Sequence, residues 1–84
     1  MYRYYFIFRS ITSAQFALTL MHRRGIEAVL STAPGLFFSN GCSHAVQVQE
    51  KWWIRAVSEL RKAGIAPQRS VRSKDGISFE EVTV

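Results

Sequence analysis

An α+β fold follows from three features of the 84-residue sequence. Two stretches carry the apolar spacing of amphipathic helices, runs of strand-forming residues flank each, and both helices run into the same basic, glycine-terminated junction. A chain this short buries only about 60–65% of its unfolded surface, so residues 1–84 are expected to form a single domain around one core.

Residues Tyr2 to Arg9 are aromatic or β-branched at nearly every position. That run predicts a central strand, buried on at least one face and lined with aromatics on the other. Ser10-Ile11-Thr12-Ser13 then offers hydroxyls to the free N–H groups of a helix start. Ala14, Ala17, Leu18 and Met21 follow at i, i+3, i+4 and i+7, one apolar stripe on a helix that ends through His22-Arg23-Arg24 into Gly25.

Ile26 to Thr32 is rich in strand formers and is closed by Ala33-Pro34-Gly35. Leu36 to Gly41 reads as a loop, with Ser39-Asn40-Gly41 as a turn before Cys42. Ser43 to Gln49 alternates, with His44, Val46 and Val48 on one face and Ala45, Gln47 and Gln49 on the other, which predicts a third strand. Lys51 to Ala63 forms a second helix whose buried stripe is Trp53, Ala56, Val57 and Leu60; Trp52 lies off it, positioned to cover a sheet edge.

Met21-His22-Arg23-Arg24-Gly25-Ile26 and Leu60-Arg61-Lys62-Ala63-Gly64-Ile65 look like two copies of one junction. A fourth strand around Gln68 to Arg72, a turn at Lys74-Asp75-Gly76 and an alternating run from Ile77 to Val84 complete the chain. Two β-α-β halves of this size give a ferredoxin-like βαββαβ two-layer sandwich. Both helices lie on one face of an antiparallel sheet, and an extra C-terminal strand extends an edge.

Composition narrows the function classes. At 48% hydrophobic and 20% charged residues, the chain is neither disordered nor low in complexity. Arg3, Arg9, His22 and Arg23 interrupt the most apolar third, so no stretch suits a membrane span, and no small-residue cleavage pattern follows the aromatic start. A cytoplasmic protein without membrane attachment is expected. The single cysteine excludes an internal disulfide. The net charge of +5 is spread over Arg3, Arg9, Arg23, Arg24, Arg55, Arg61, Lys62, Arg69, Arg72 and Lys74, which reads as a solvated surface rather than a phosphate-binding patch.

No H-E-x-x-H, C-x-x-C, G-x-S-x-G or phosphate-cradling glycine loop is present. His22 and His44 sit on different elements with one cysteine between them, so neither a metal site nor a cofactor is expected.

The topology singles out Cys42. Right-handed crossovers make the first two strands run parallel, so the loop between strands two and three lies beside the first helix's N-terminus. A thiol there feels free N–H groups and the positive end of the helix dipole, both favouring thiolate. Arg9 would add a full charge, and Ser10, Thr12 and Ser13 form the cap. Pro34, Ser39, Asn40, Gly41 and Ser43 shape the loop, and His44 shares a face with Cys42 if the strand has already begun.

A family resemblance enters with these residues. Phe6-Ile7-Phe8-Arg9-Ser10, Ala14, Gly25-Ile26, Pro34 and Gly41-Cys42 together resemble the small selenium/sulfur carrier-like proteins, the domain family DUF3343, over roughly residues 4–65. The family's usual Cys-Gly is Cys42-Ser43 here, and its Pro-x-Pro-Arg-like loop is reduced to Ala33-Pro34-Gly35. The resemblance implies a carrier rather than a catalyst. Cys42 would accept a persulfide or selenide from a cysteine desulfurase-like or selenium-handling donor and pass it to an acceptor protein. Such chemistry needs one accessible thiol and no resolving cysteine.

The competing reading is a non-catalytic module that binds a protein partner or single-stranded RNA on the sheet, with Tyr2, Tyr4, Phe6 or Phe8 as stacking platforms. Ser43 to Gln49 contains no aromatic, which argues against nucleic acid. Edge pairing of the last strand would give a homodimer.

Overall fold

The computed structural model describes residues 1–32, 44–76 and 78–82. Its elements are β1 (Arg3–Phe8), α1 (Ile11–Arg23), β2 (Ala28–Thr32), β3 (His44–Gln49), a single 3₁₀ turn (Glu50–Trp52), α2 (Trp53–Lys62), β4 (Arg69–Ser73) and β5 (Glu80–Glu81). The five strands form one sheet in the order β2-β3-β1-β4-β5, and every neighbouring pair is antiparallel. The first four strands follow the ferredoxin-like order, and β5 lies outside β4. The expected α+β sandwich is the observed architecture.

Alternation along β1 sorts the core into two layers. Tyr4, Phe6 and Phe8 point to the helix side with Val46, Val48 and Ala28, and meet Ala14, Ala17 and Met21 of α1 and Ala56 and Leu60 of α2. Trp53 stacks on Tyr4 at 4.2 Å and on Phe6 at 5.3 Å between ring centroids. On the other side Tyr5, Ile7, Ala45 and Val71 form a second buried cluster, with Phe79 packed edge-on to Tyr5 at 5.7 Å. The central strand is therefore apolar on both faces, which is why its sequence shows no polar alternation.

Both helices end in the same hydrogen-bonded motif. Gly25 N–H donates to the His22 carbonyl at 3.1 Å and Ile26 N–H to that of Met21 at 2.9 Å. Gly64 and Ile65 repeat these bonds to Arg61 and Leu60 at the same two distances. These are Schellman caps, and each glycine takes the left-handed conformation the motif requires, at φ +76° and +71°. The two apparent copies of one junction are two copies in three dimensions. Arg55 ties the helices together by donating to the Arg24 carbonyl at 2.7 Å.

Two expectations are corrected in detail. The second helix was expected from Lys51, but a 3₁₀ turn precedes its α-helical part at Trp53, because Glu50 N–H is held by the Tyr2 carbonyl at 3.1 Å. Trp52 packs against the helix-side core, with Lys51 and Arg55 over its ring. Of the final strand expected over Ile77 to Val84, residues 77, 83 and 84 lie outside the described residues; among those described only Glu80–Glu81 form strand, since Asp75 and Ser73 spend their side chains on the backbone N–H groups of Ser78 and Gly76 and hold the chain in a turn.

Candidate functional site

Three chain segments converge on one rim of the sheet. His44, the first residue of β3, pairs with Phe8, the last of β1, and with Thr32, the last of β2. β1 and β2 both oppose β3, so they run parallel and finish at the same level. The helix start after β1 and the two attachment points of residues 33–43 therefore share this edge.

Ser10 caps α1 from an extended conformation, φ −115° and ψ 149°, with its Oγ accepting from Ser13 N–H at 3.1 Å. The Ser13 hydroxyl lies 3.0 Å from that of Ser10. No acidic residue occupies the first turn. The N–H groups of Ile11 and Thr12 and the positive end of the helix dipole are left uncompensated among the described residues. Arg9 is exposed and makes no ion pair among them. His44 is half-buried, on the helix side with Val46 and Val48.

The rim thus gathers Arg9, Ser10, Thr12, Ser13 and His44. Pro34, Ser39, Asn40, Gly41, Cys42 and Ser43 lie outside the described residues. His22 is at the opposite end of α1, where its Nε2 lies 2.8 Å from the Ala28 carbonyl oxygen, so the two histidines do not meet. Among the described residues no three potential metal ligands come together. No described helix is long and apolar enough to cross a membrane.

One feature of the rim was not foreseen. A recess of about 340 Å³ opens beside the first turn of α1, lined by Phe8, Thr12, Ser13, Phe16, Gly64 and Ile65. The second Schellman cap closes it, and Phe16 overhangs it, 64% exposed. The signal in the sequence was Phe16 itself, a large aromatic off the buried stripe of its helix.

The RNA-stacking platform is not available. Tyr4, Phe6 and Phe8 are buried under the helices and Tyr2 is half-buried beneath Arg72 and Lys74, at 4.3 and 5.2 Å from its ring centre. The Tyr2 hydroxyl reaches Glu80 at 3.5 Å. Arg72 stands 3.4 Å from the same carboxylate, and its hydrogen bond to Tyr4 raises the guanidinium above its ordinary pKa. These groups lock the C-terminal hairpin to β1.

No family model, curated protein or solved structure matches the chain.

Proposed function

We propose that the protein is a carrier of sulfur or selenium that holds its cargo on Cys42. The observation supporting this reading is the rim. The first turn of α1, without a carboxylate, and Arg9, which makes no ion pair among the described residues, create positive potential at the edge from which residues 33–43 depart and to which they return. Cys42 is two residues from His44 along the chain. Positive potential favours thiolate, the form that attacks a sulfane atom.

In the transfer, the Cys42 thiolate attacks the terminal sulfur of a persulfide on a donor protein. A new S–S bond forms at Cys42, the donor's S–S bond breaks, and its electron pair leaves with the donor cysteine as thiolate. No net oxidant is needed, and the same balance holds for a terminal selenium. With a single cysteine in the chain, no internal thiol competes to expel the cargo as a disulfide. The donor is read as a cysteine desulfurase-like or selenium-handling protein, and the net charge of +5 suits docking to acidic partners.

Incubation with a cysteine desulfurase and cysteine, followed by mass spectrometry of the intact protein, tests the reading. One added sulfur on Cys42, absent from a folded Cys42→Ser variant, is the expected result. No adduct, or equal labelling of the variant, refutes it.

A further inference from the structure

The two edges of the sheet are built differently. At one edge the described part of β5 is Glu80–Glu81, and charged residues on an edge strand disfavour pairing with another sheet. At the other, β2 offers five residues, Ala28-Val29-Leu30-Ser31-Thr32, with neither charge nor proline. Val29 and Leu30 are 56% and 41% exposed. The His22 imidazole reaches the Ala28 carbonyl oxygen, so the peptide groups of Ala28 face away from β3. Strand alternation directs those of Leu30 and Thr32 to the same open side.

The contact of His22 with β2 also fixes which flank of α1 overhangs this edge. Leu18, Gln15 and Ile11 precede His22 at helical spacing and share that flank. Ile11 is 38% exposed and Leu18 is partly buried. An uncharged strip of Ile11, Leu18 and Leu30 therefore runs along the helix side of this edge, with Val29 on the opposite face of the sheet, in a protein of net charge +5.

We infer that β2 is the seam of a two-fold homodimer, in which the β2 strands of two copies pair antiparallel about Leu30 and join their sheets into one. The pairing sets Leu30 opposite Leu30 of the second copy and brings the two uncharged α1 flanks together above the seam. Isologous pairing closes on itself, and the acidic β5 edge prevents open-ended growth. The flanking charges agree with a second copy as occupant. Glu27, exposed and without an ion pair among the described residues, precedes β2. Antiparallel pairing turns it toward the other copy's rim, which carries Arg9, on the sheet face away from the helices. The seam lies at the opposite edge of the sheet from the last-strand pairing expected from the sequence. It also sets the two Thr32 residues about 14 Å apart, so the two rims open at opposite ends of the joined sheet.

Sedimentation in reductant across about 1–500 µM is the test, a range covering interfaces at the small end of the specific class. The wild type is expected to pass from one to two chains over this range. Leu30→Lys puts two like charges opposite each other and is expected to weaken the dimer at least about tenfold, with circular dichroism unchanged. Phe16→Lys, on the other flank of α1, leaves it intact. Glu27→Lys, a surface change, weakens it at low salt and supplies the test if the Leu30 variant misfolds. A chain that stays monomeric throughout, as it would if this edge served a different protein, overturns the inference. So does a dimer indifferent to both Leu30→Lys and Glu27→Lys.

Discussion

Replacing Gly25 by alanine tests the duplicated junction in isolation. The residue sits at φ +76°, and a Cβ there meets nothing within 4 Å. The cost is therefore backbone strain alone, about 1–2 kcal/mol for an L-residue in the left-handed region. Unfolding entropy near 2.1 cal/mol/K per residue gives about 0.18 kcal/mol/K for 84 residues, so the melting temperature should fall by about 6–11 °C. Gly64, at φ +71° and equally open, should behave alike. The two caps lie at opposite ends of the helix layer, so the double variant should show the sum within about 0.5 kcal/mol. Gly25→Asn should recover part of the loss, because asparagine tolerates this conformation. Thermal unfolding followed at 222 nm, a wavelength that reports helix content, is the assay. A neutral or stabilising Gly25→Ala would show that α1 does not end in a Schellman cap.

Trp53→Ala removes the ring stacked on Tyr4 and Phe6 and should cost about 3–5 kcal/mol in urea unfolding, enough to leave the domain barely folded. Ser10→Ala should cost about 1 kcal/mol, with Ser10→Asp close to wild type, since aspartate also accepts from Ser13 N–H. Arg9→Gln should slow sulfur loading of Cys42 about two- to fivefold while leaving the melting temperature within about 2 °C, because Arg9 is exposed and makes no ion pair among the described residues. Amide exchange should be slowest in β1, which is paired on both sides and buried on both faces.

Much of this architecture can be read from residue order because local and global preferences agree. The stripes of α1 and α2, the hydroxyl cap at Ser10 and the two glycine junctions each have a local cause, and the sandwich follows once two equal halves are recognised. Other features depend on contacts distant in sequence. The aromatics of β1 suggested a display surface, but only packing decides that Tyr4, Phe6 and Phe8 face the helices and that Phe79 covers Tyr5. The start of α2 is set by Tyr2, far away in the chain. The alternating residues after Gly76 read as strand because the pattern does not register that Ser73 and Asp75 will bind the turn's own amides. At the candidate site the rim was legible from handedness and order alone. The recess under Phe16 was not, since it needs α2's end to arrive beside α1's beginning.

The apolar character of β1 on both faces bears on folding fidelity. A strand polar on one side resists slipping by one residue, because the slip would strand its greasy side chains in water. β1 lacks that safeguard: a slip would exchange one set of bulky apolar groups for another. Its alignment must be fixed by clamps at the two ends. At one end Glu50 N–H donates to the Tyr2 carbonyl at 3.1 Å while the Glu50 carboxylate accepts from Tyr2 N–H at 3.0 Å; at the other Gln68 N–H donates to the Ile7 carbonyl at 2.8 Å. Loosening Glu50 should therefore admit shifted, kinetically trapped conformers during refolding even where the native state itself is scarcely weakened.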